Sequence, residues 1–101
     1  MHTTAITFIH EDLRYETILV EHKEAYDELM MRLDTHYNPY DTEKFRTITL
    51  VDVVIFLYKN NYQIIENRLF DNKEDYENSN LIKKANNRTE FAFDLEFTLY
   101  N

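Results

Sequence analysis

Thr89-Glu90-Phe91-Ala92-Phe93-Asp94-Leu95-Glu96-Phe97-Thr98-Leu99-Tyr100 carries the cleanest strand pattern of the sequence. Phe91, Phe93, Leu95, Phe97 and Leu99 alternate strictly with Glu90, Ala92, Asp94, Glu96 and Thr98. Successive side chains of a strand point to opposite faces, so this period of two predicts a strand over 89–100. One face is apolar and the other wet and negative, the pattern of a sheet packed on one side only.

Residues 3–9 and 13–20 read as two more strands, rich in β-branched and aromatic side chains. Leu13, Tyr15, Thr17 and Leu19 share a face of the second. His10-Glu11-Asp12 between them predicts a hairpin, with Asp12 taking any left-handed position because no glycine is at hand. Residues 21–37 read as a helix. Tyr26, Leu29, Met30, Leu33 and Tyr37 fall in one arc, and Glu21, Glu24, Asp27, Glu28 and Asp34 in the opposite one. Asn38-Pro39 ends it.

Residues 50–60 are predicted as a second helix despite their β-branched content. Thr49-Leu50-Val51-Asp52 places a hydroxyl at the N-cap and a carboxylate three residues on, close to a capping box. Leu50, Val51, Val54, Ile55, Leu57 and Tyr58 form its expected apolar face. Asn60-Asn61 offers an Asn for the left-handed cap. Residues 62–70 read as a strand, and 71–88 as a polar segment with a short helix near 79–85.

The order β-β-α-α-β-(α)-β predicts one α+β domain over 1–101. Its expected architecture is a small four-stranded, mostly antiparallel sheet with two helices, or three with the polar segment, packed on one face.

Composition excludes whole classes of chemistry. The 101 residues contain no glycine, where average usage would supply about seven. Phosphate-cradling loops, dinucleotide-binding turns and nucleophile elbows all need glycine and are ruled out. No cysteine is present, so disulfides, thiolate nucleophiles and zinc–thiolate sites are ruled out too. No apolar run approaches a membrane span, and Met1-His2-Thr3-Thr4 carries no basic leader region, so a cytoplasmic protein is expected.

The abundance of Asn, Ile, Tyr and Phe fits an AT-rich coding genome. The charge does not, because such a bias would also favour Lys. The formal net charge is −8, from 19 acidic and 11 basic residues. Phosphate affinity comes from Lys and Arg, so direct nucleic-acid binding is not expected. A basic protein partner is.

No catalytic, metal or cofactor site is expected. Read on one helix, His22 and His36 stand about 21 Å apart along its axis and cannot share an ion. His10-Glu11-Asp12 would diverge at a hairpin tip. Asp52 with Glu66-Asn67-Arg68 faintly resembles a nuclease constellation, but Arg stands where Lys is needed and Asp52 is better explained as a cap.

The candidate binding residues are therefore the acidic surfaces. They comprise Glu21, Glu24, Asp27, Glu28 and Asp34 around the apolar Met31; Asp71, Glu74, Asp75 and Glu77; and Glu90, Asp94 and Glu96 on the last strand. Carboxylates two apart on a strand stand about 6.7 Å apart, close to the phosphate spacing of a nucleic-acid strand. In size, charge and composition the chain resembles the small acidic inhibitors that phages and other mobile elements make against host defence nucleases, including anti-CRISPR proteins. That resemblance implies a non-catalytic nucleic-acid mimic that blocks a basic, nucleic-acid-binding surface of its target. The alternatives are a homo-oligomerising accessory subunit and a small metal-dependent hydrolase or nuclease.

Overall fold

The computed structural model describes residues 1–37 and 49–92. Its elements run β1 (His2–Ile9), β2 (Tyr15–His22), α1 (Tyr26–Tyr37), α2 (Leu50–Lys59), β3 (Gln63–Phe70), α3 (Lys73–Glu77), α4 (Asn80–Lys84) and β4 (Asn87–Ala92). The Asn38-Pro39 break, Asp94 and Glu96 lie outside the described residues.

The four strands form one sheet in the order β3-β2-β1-β4. β1 pairs antiparallel with β2, placing Ile6 opposite Ile18, and β2 pairs antiparallel with β3, placing Tyr15 opposite Phe70. β4 runs parallel to β1, with Phe91 beside Phe8. The sheet is thus mixed: the expected α+β architecture holds, with one parallel edge. The parallel edge follows from the path of the chain, which carries α3 and α4 across the sheet from one edge strand to the other.

Helices cover both faces. Ile6, Phe8, Ile18 and Val20 meet Leu29 and Leu33 of α1 and Val53, Phe56 and Leu57 of α2. On the other side Ala5, Tyr15, Leu19 and Phe70 meet Tyr76 of α3 and Leu81 and Ile82 of α4. The expectation of helices on one face is therefore right for α1 and α2 and corrected for the third helical segment. Covered on both sides, β1 is buried without interruption from Thr4 to Phe8 and β2 from Thr17 to Val20. Three buried threonines result. Thr7 and Thr17 face each other with hydroxyls 2.9 Å apart, and Thr7 also donates to the Tyr76 hydroxyl at 3.2 Å. Among the described residues no buried side-chain polar atom lacks a partner.

The hairpin closes on a three-residue loop, with the His10 N–H bonded to the Arg14 carbonyl at 2.9 Å. Leu13, not Asp12, takes the left-handed position, at φ 67°. Asp12 instead turns its carboxylate to the Arg14 backbone N–H and guanidinium. A branched side chain at positive φ costs about 1–2 kcal/mol, and Leu13 is exposed, so it regains little by packing. Leu13→Gly is expected to stabilise the protein by about 0.5–1 kcal/mol after the added freedom of the unfolded chain is subtracted. Urea unfolding checks this; a loss of stability would contradict it.

α2 begins as predicted. Thr49 Oγ1 accepts from the Asp52 N–H, and the Asp52 carboxylate accepts from the Thr49 N–H at 3.0 Å. Asn61 takes the left-handed conformation just beyond it, at φ 62°. α3 and α4 start on their own caps, Asn72 and Ser79. α1 is shorter than expected, because β2 continues through His22.

Candidate protein-binding surface

α1 and α2 lie side by side on one sheet face, so the residues opposite their buried stripes make one outer surface. On α1 these are Asp27, Glu28, Met31 and Thr35. On α2 they are Val51, Ile55 and Tyr58, which sequence periodicity assigned to the core. α2 is apolar nearly all round, so its pattern does not decide which side is buried. Phe56 and Val53 win the core side, and the other stripe turns outward. Met31, Val51, Ile55 and Tyr58 are between 46 and 68 % exposed. Between the helices runs an open groove of ≈ 530 Å³, with Glu28, Met31, Thr35 and His36 on one wall and Phe56 and Asn60 on the other. The surface therefore combines apolar anchors with carboxylates, the mixture found at protein interfaces.

The other predicted residues are dispersed. Glu21 lies in β2 and Glu24 in the loop after it, so neither belongs to the α1 face. Asp27, Glu28, Met31 and Asp34 stay together on α1. Asp71, Glu74, Asp75 and Glu77 gather around α3, with the sheet between them and α1. Glu77 and Glu90 converge on Arg88, whose guanidinium donates to them at 2.5 and 3.0 Å. Tyr76 donates to the same Glu90 carboxylate at 2.7 Å. Glu90, though exposed, is thus tied to Arg88 and Tyr76 rather than standing as a free acid in a row. The Arg88 guanidinium is lowered by burial, but its bonds to Glu77, Tyr76 and Glu90 more than offset this and hold its pKa above the ordinary value.

A second polar cluster closes the end of the sheet beside α1. The Glu24 carboxylate accepts hydrogen bonds from the Tyr62 hydroxyl and from Arg32, the latter at 2.8 Å. Arg32 also donates to the Tyr62 oxygen and, at 3.1 Å, to Asn60 Oδ1. Below them His22 is buried. Its Nδ1 lies 2.8 Å from the Glu24 carbonyl and its Nε2 2.7 Å from Thr4 Oγ1. A carbonyl only accepts, so Nδ1 carries the hydrogen, and in the neutral ring Nε2 accepts from the Thr4 hydroxyl. These groups border a cleft of ≈ 440 Å³.

The physics of this cluster is that of a structural clasp. Burial raises the Glu24 carboxyl, but the Tyr62 hydroxyl, its own backbone N–H and Arg32 together hold it below the usual carboxylate range. Tyr62 is pushed up to about 12, first by burial and then by the Glu24 carboxylate. Because the folded state favours the protonated phenol, its stabilisation is complete below the ordinary pKa of 10 and is lost as pH rises through about 12. Ultraviolet titration of tyrosinate is expected to show a last step near pH 12 that disappears in Tyr62→Phe. An unchanged final step would contradict the assignment.

Asp52 and Glu66 do not converge. Asp52 caps a helix on one sheet face, whereas Glu66 projects from the other, where it pairs with Arg68 at 2.7 Å and Lys84 at 3.6 Å. His22 and His36 lie on different elements. Among the described residues no group of three His, Asp or Glu side chains is placed to hold a metal ion, and no helix is long and apolar enough to cross a membrane. No protein-family model, curated protein or solved structure matches the chain.

Proposed function

We propose that this chain is a non-catalytic protein-binding module that docks the outer face of α1 and α2 on a basic surface of a partner protein. Where that surface is a nucleic-acid groove, the chain acts as an inhibitor by occlusion. One observation carries this reading: Met31, Asp27 and Glu28 of α1 and Val51, Ile55 and Tyr58 of α2 are all exposed, opposite the stripes that the two helices bury in the same core. Scattered apolar residues on a surface are ordinary, but four on one helical layer beside carboxylates form an anchor set. The acids supply steering toward a basic partner, and the net charge of −8 extends that field over the whole molecule.

The two-sided sheet narrows the phosphate-mimic idea. The α1 and α3 carboxylates cover opposite faces, so they do not track one nucleic-acid strand together. The α1 group is favoured because it has apolar anchors beside it. The test is affinity capture from a nuclease-treated lysate with elution by a salt step. The expected result is a basic nucleic-acid-binding protein that leaves the column at raised salt and that nucleic acid displaces. A captured protein indifferent to both salt and nucleic acid would overturn the occlusion mechanism.

A further inference from the structure

The edge strand β3 carries a self-complementary sequence. Among the described residues no strand lies beyond it, and Ile65, Asn67, Arg68 and Leu69 are all exposed. Natural edges are guarded by charges and bulges that repel a second strand. β3 has both, including an extra residue at Ile65 where the register with β2 shifts. Its charges, however, are placed to attract a copy of themselves.

When two identical strands pair antiparallel about a two-fold axis, residues equally far before and after the axis lie opposite each other. With the axis at Asn67, Glu66 of each copy lies opposite Arg68 of the other. Ile65 lies opposite Leu69, and these are the two exposed large apolar residues of the strand. The pairs flanking the self-facing Asn67 are then matched, charge to opposite charge and apolar to apolar, each a favourable cross-strand pair. Shifting the axis by one residue either way loses the charge match. The Glu66–Arg68 bridge within one chain, at 2.7 Å, holds both side chains on one sheet face and so presents them to the same side of a partner strand.

We infer that a second copy of this chain docks on β3, pairing the two strands antiparallel about Asn67 and running one continuous sheet through both molecules. This association uses the backbone edge of β3 rather than the outer face of α1 and α2 and does not depend on the partner-binding reading.

Equilibrium sedimentation and a single-cysteine cross-link test it. The mass should rise with concentration from 12.4 kDa toward that of a dimer. Arg68→Glu and Glu66→Arg each set like charges opposite one another, and each should weaken association by about ten-fold or more. An equimolar mixture of the two variants restores opposite charges and should recover the dimer, which also shows that both are folded. The natural chain has no cysteine, so Asn67→Cys introduces a single thiol on the axis. Antiparallel partners stand about 4.5–5.5 Å apart at Cα, within disulfide range. Asn67→Cys should therefore oxidise to a linked dimer at least about ten-fold faster than Lys73→Cys on α3. A monomeric mass at all concentrations would overturn the inference. So would a dimer that both charge variants leave intact, or equal cross-linking rates.

Discussion

Replacing Tyr76 with alanine is expected to lower stability by about 3–5 kcal/mol, a large share of the total of about 5–15 kcal/mol that holds a domain folded. Tyr76 is fully buried and is the only large apolar side chain that α3 sends into the second core. Its ring packs on Tyr15 at 4.7 Å and on Phe70 at 5.8 Å, joining β2 to β3. Its hydroxyl accepts from Thr7 at 3.2 Å and donates to Glu90 at 2.7 Å, joining β1 to β4. Tyr76→Phe keeps the ring and removes the hydroxyl, so it should cost only about 1–3 kcal/mol. Denaturant unfolding of both variants separates the packing and polar contributions. A loss below about 1 kcal/mol for Tyr76→Ala would contradict a packed second core.

The second large effect concerns binding. Met31→Lys together with Ile55→Lys is expected to weaken capture of the basic partner by about 100-fold or more, the effect of removing central interface anchors. Both positions are exposed and lie within helices that lysine suits, so circular dichroism and thermal unfolding should change little. The substitutions remove apolar anchors and set positive charge against a basic surface. Neutralising Asp71, Glu74 and Asp75 on the opposite face should leave capture within about two-fold, apart from a smaller long-range effect of charge. Equal losses from the two sets would point to nonspecific electrostatics.

Local chemistry made much of the fold legible. The Thr49–Asp52 pair announced α2, the polar break announced the hairpin, and Asn61 stood ready for a left-handed position. What failed was decided by tertiary packing. β2 runs on through His22, whose two ring nitrogens are satisfied by Thr4 and the Glu24 carbonyl, contacts between separate segments that helical periodicity does not register. The alternation of Phe91 with its neighbours belongs to an edge strand, and it misled about the centre of the sheet. The signal for two covered faces was the unbroken burial-compatible run Thr4-Ala5-Ile6-Thr7-Phe8, whose threonines masked it as half-polar.

The candidate surface was legible in part for the same reason. Met31 among carboxylates is visible from helical angle alone, and it is exposed. The α2 stripe was not, since an almost wholly apolar helix offers two equivalent faces until Phe56 stacks near Tyr62, at 6.1 Å, and claims one of them. The Glu24–Arg32–Tyr62 clasp joins residues of three separate segments, and no local spacing announces it.

Hydrogen–deuterium exchange on residues 1–101, with and without the partner recovered by salt elution, reads out the docking face of α1 and α2. Protection is expected across α1 and α2, with α3 and α4 unchanged. Protection concentrated on α3 and α4, with α1 and α2 exchanging as in the free protein, would contradict it.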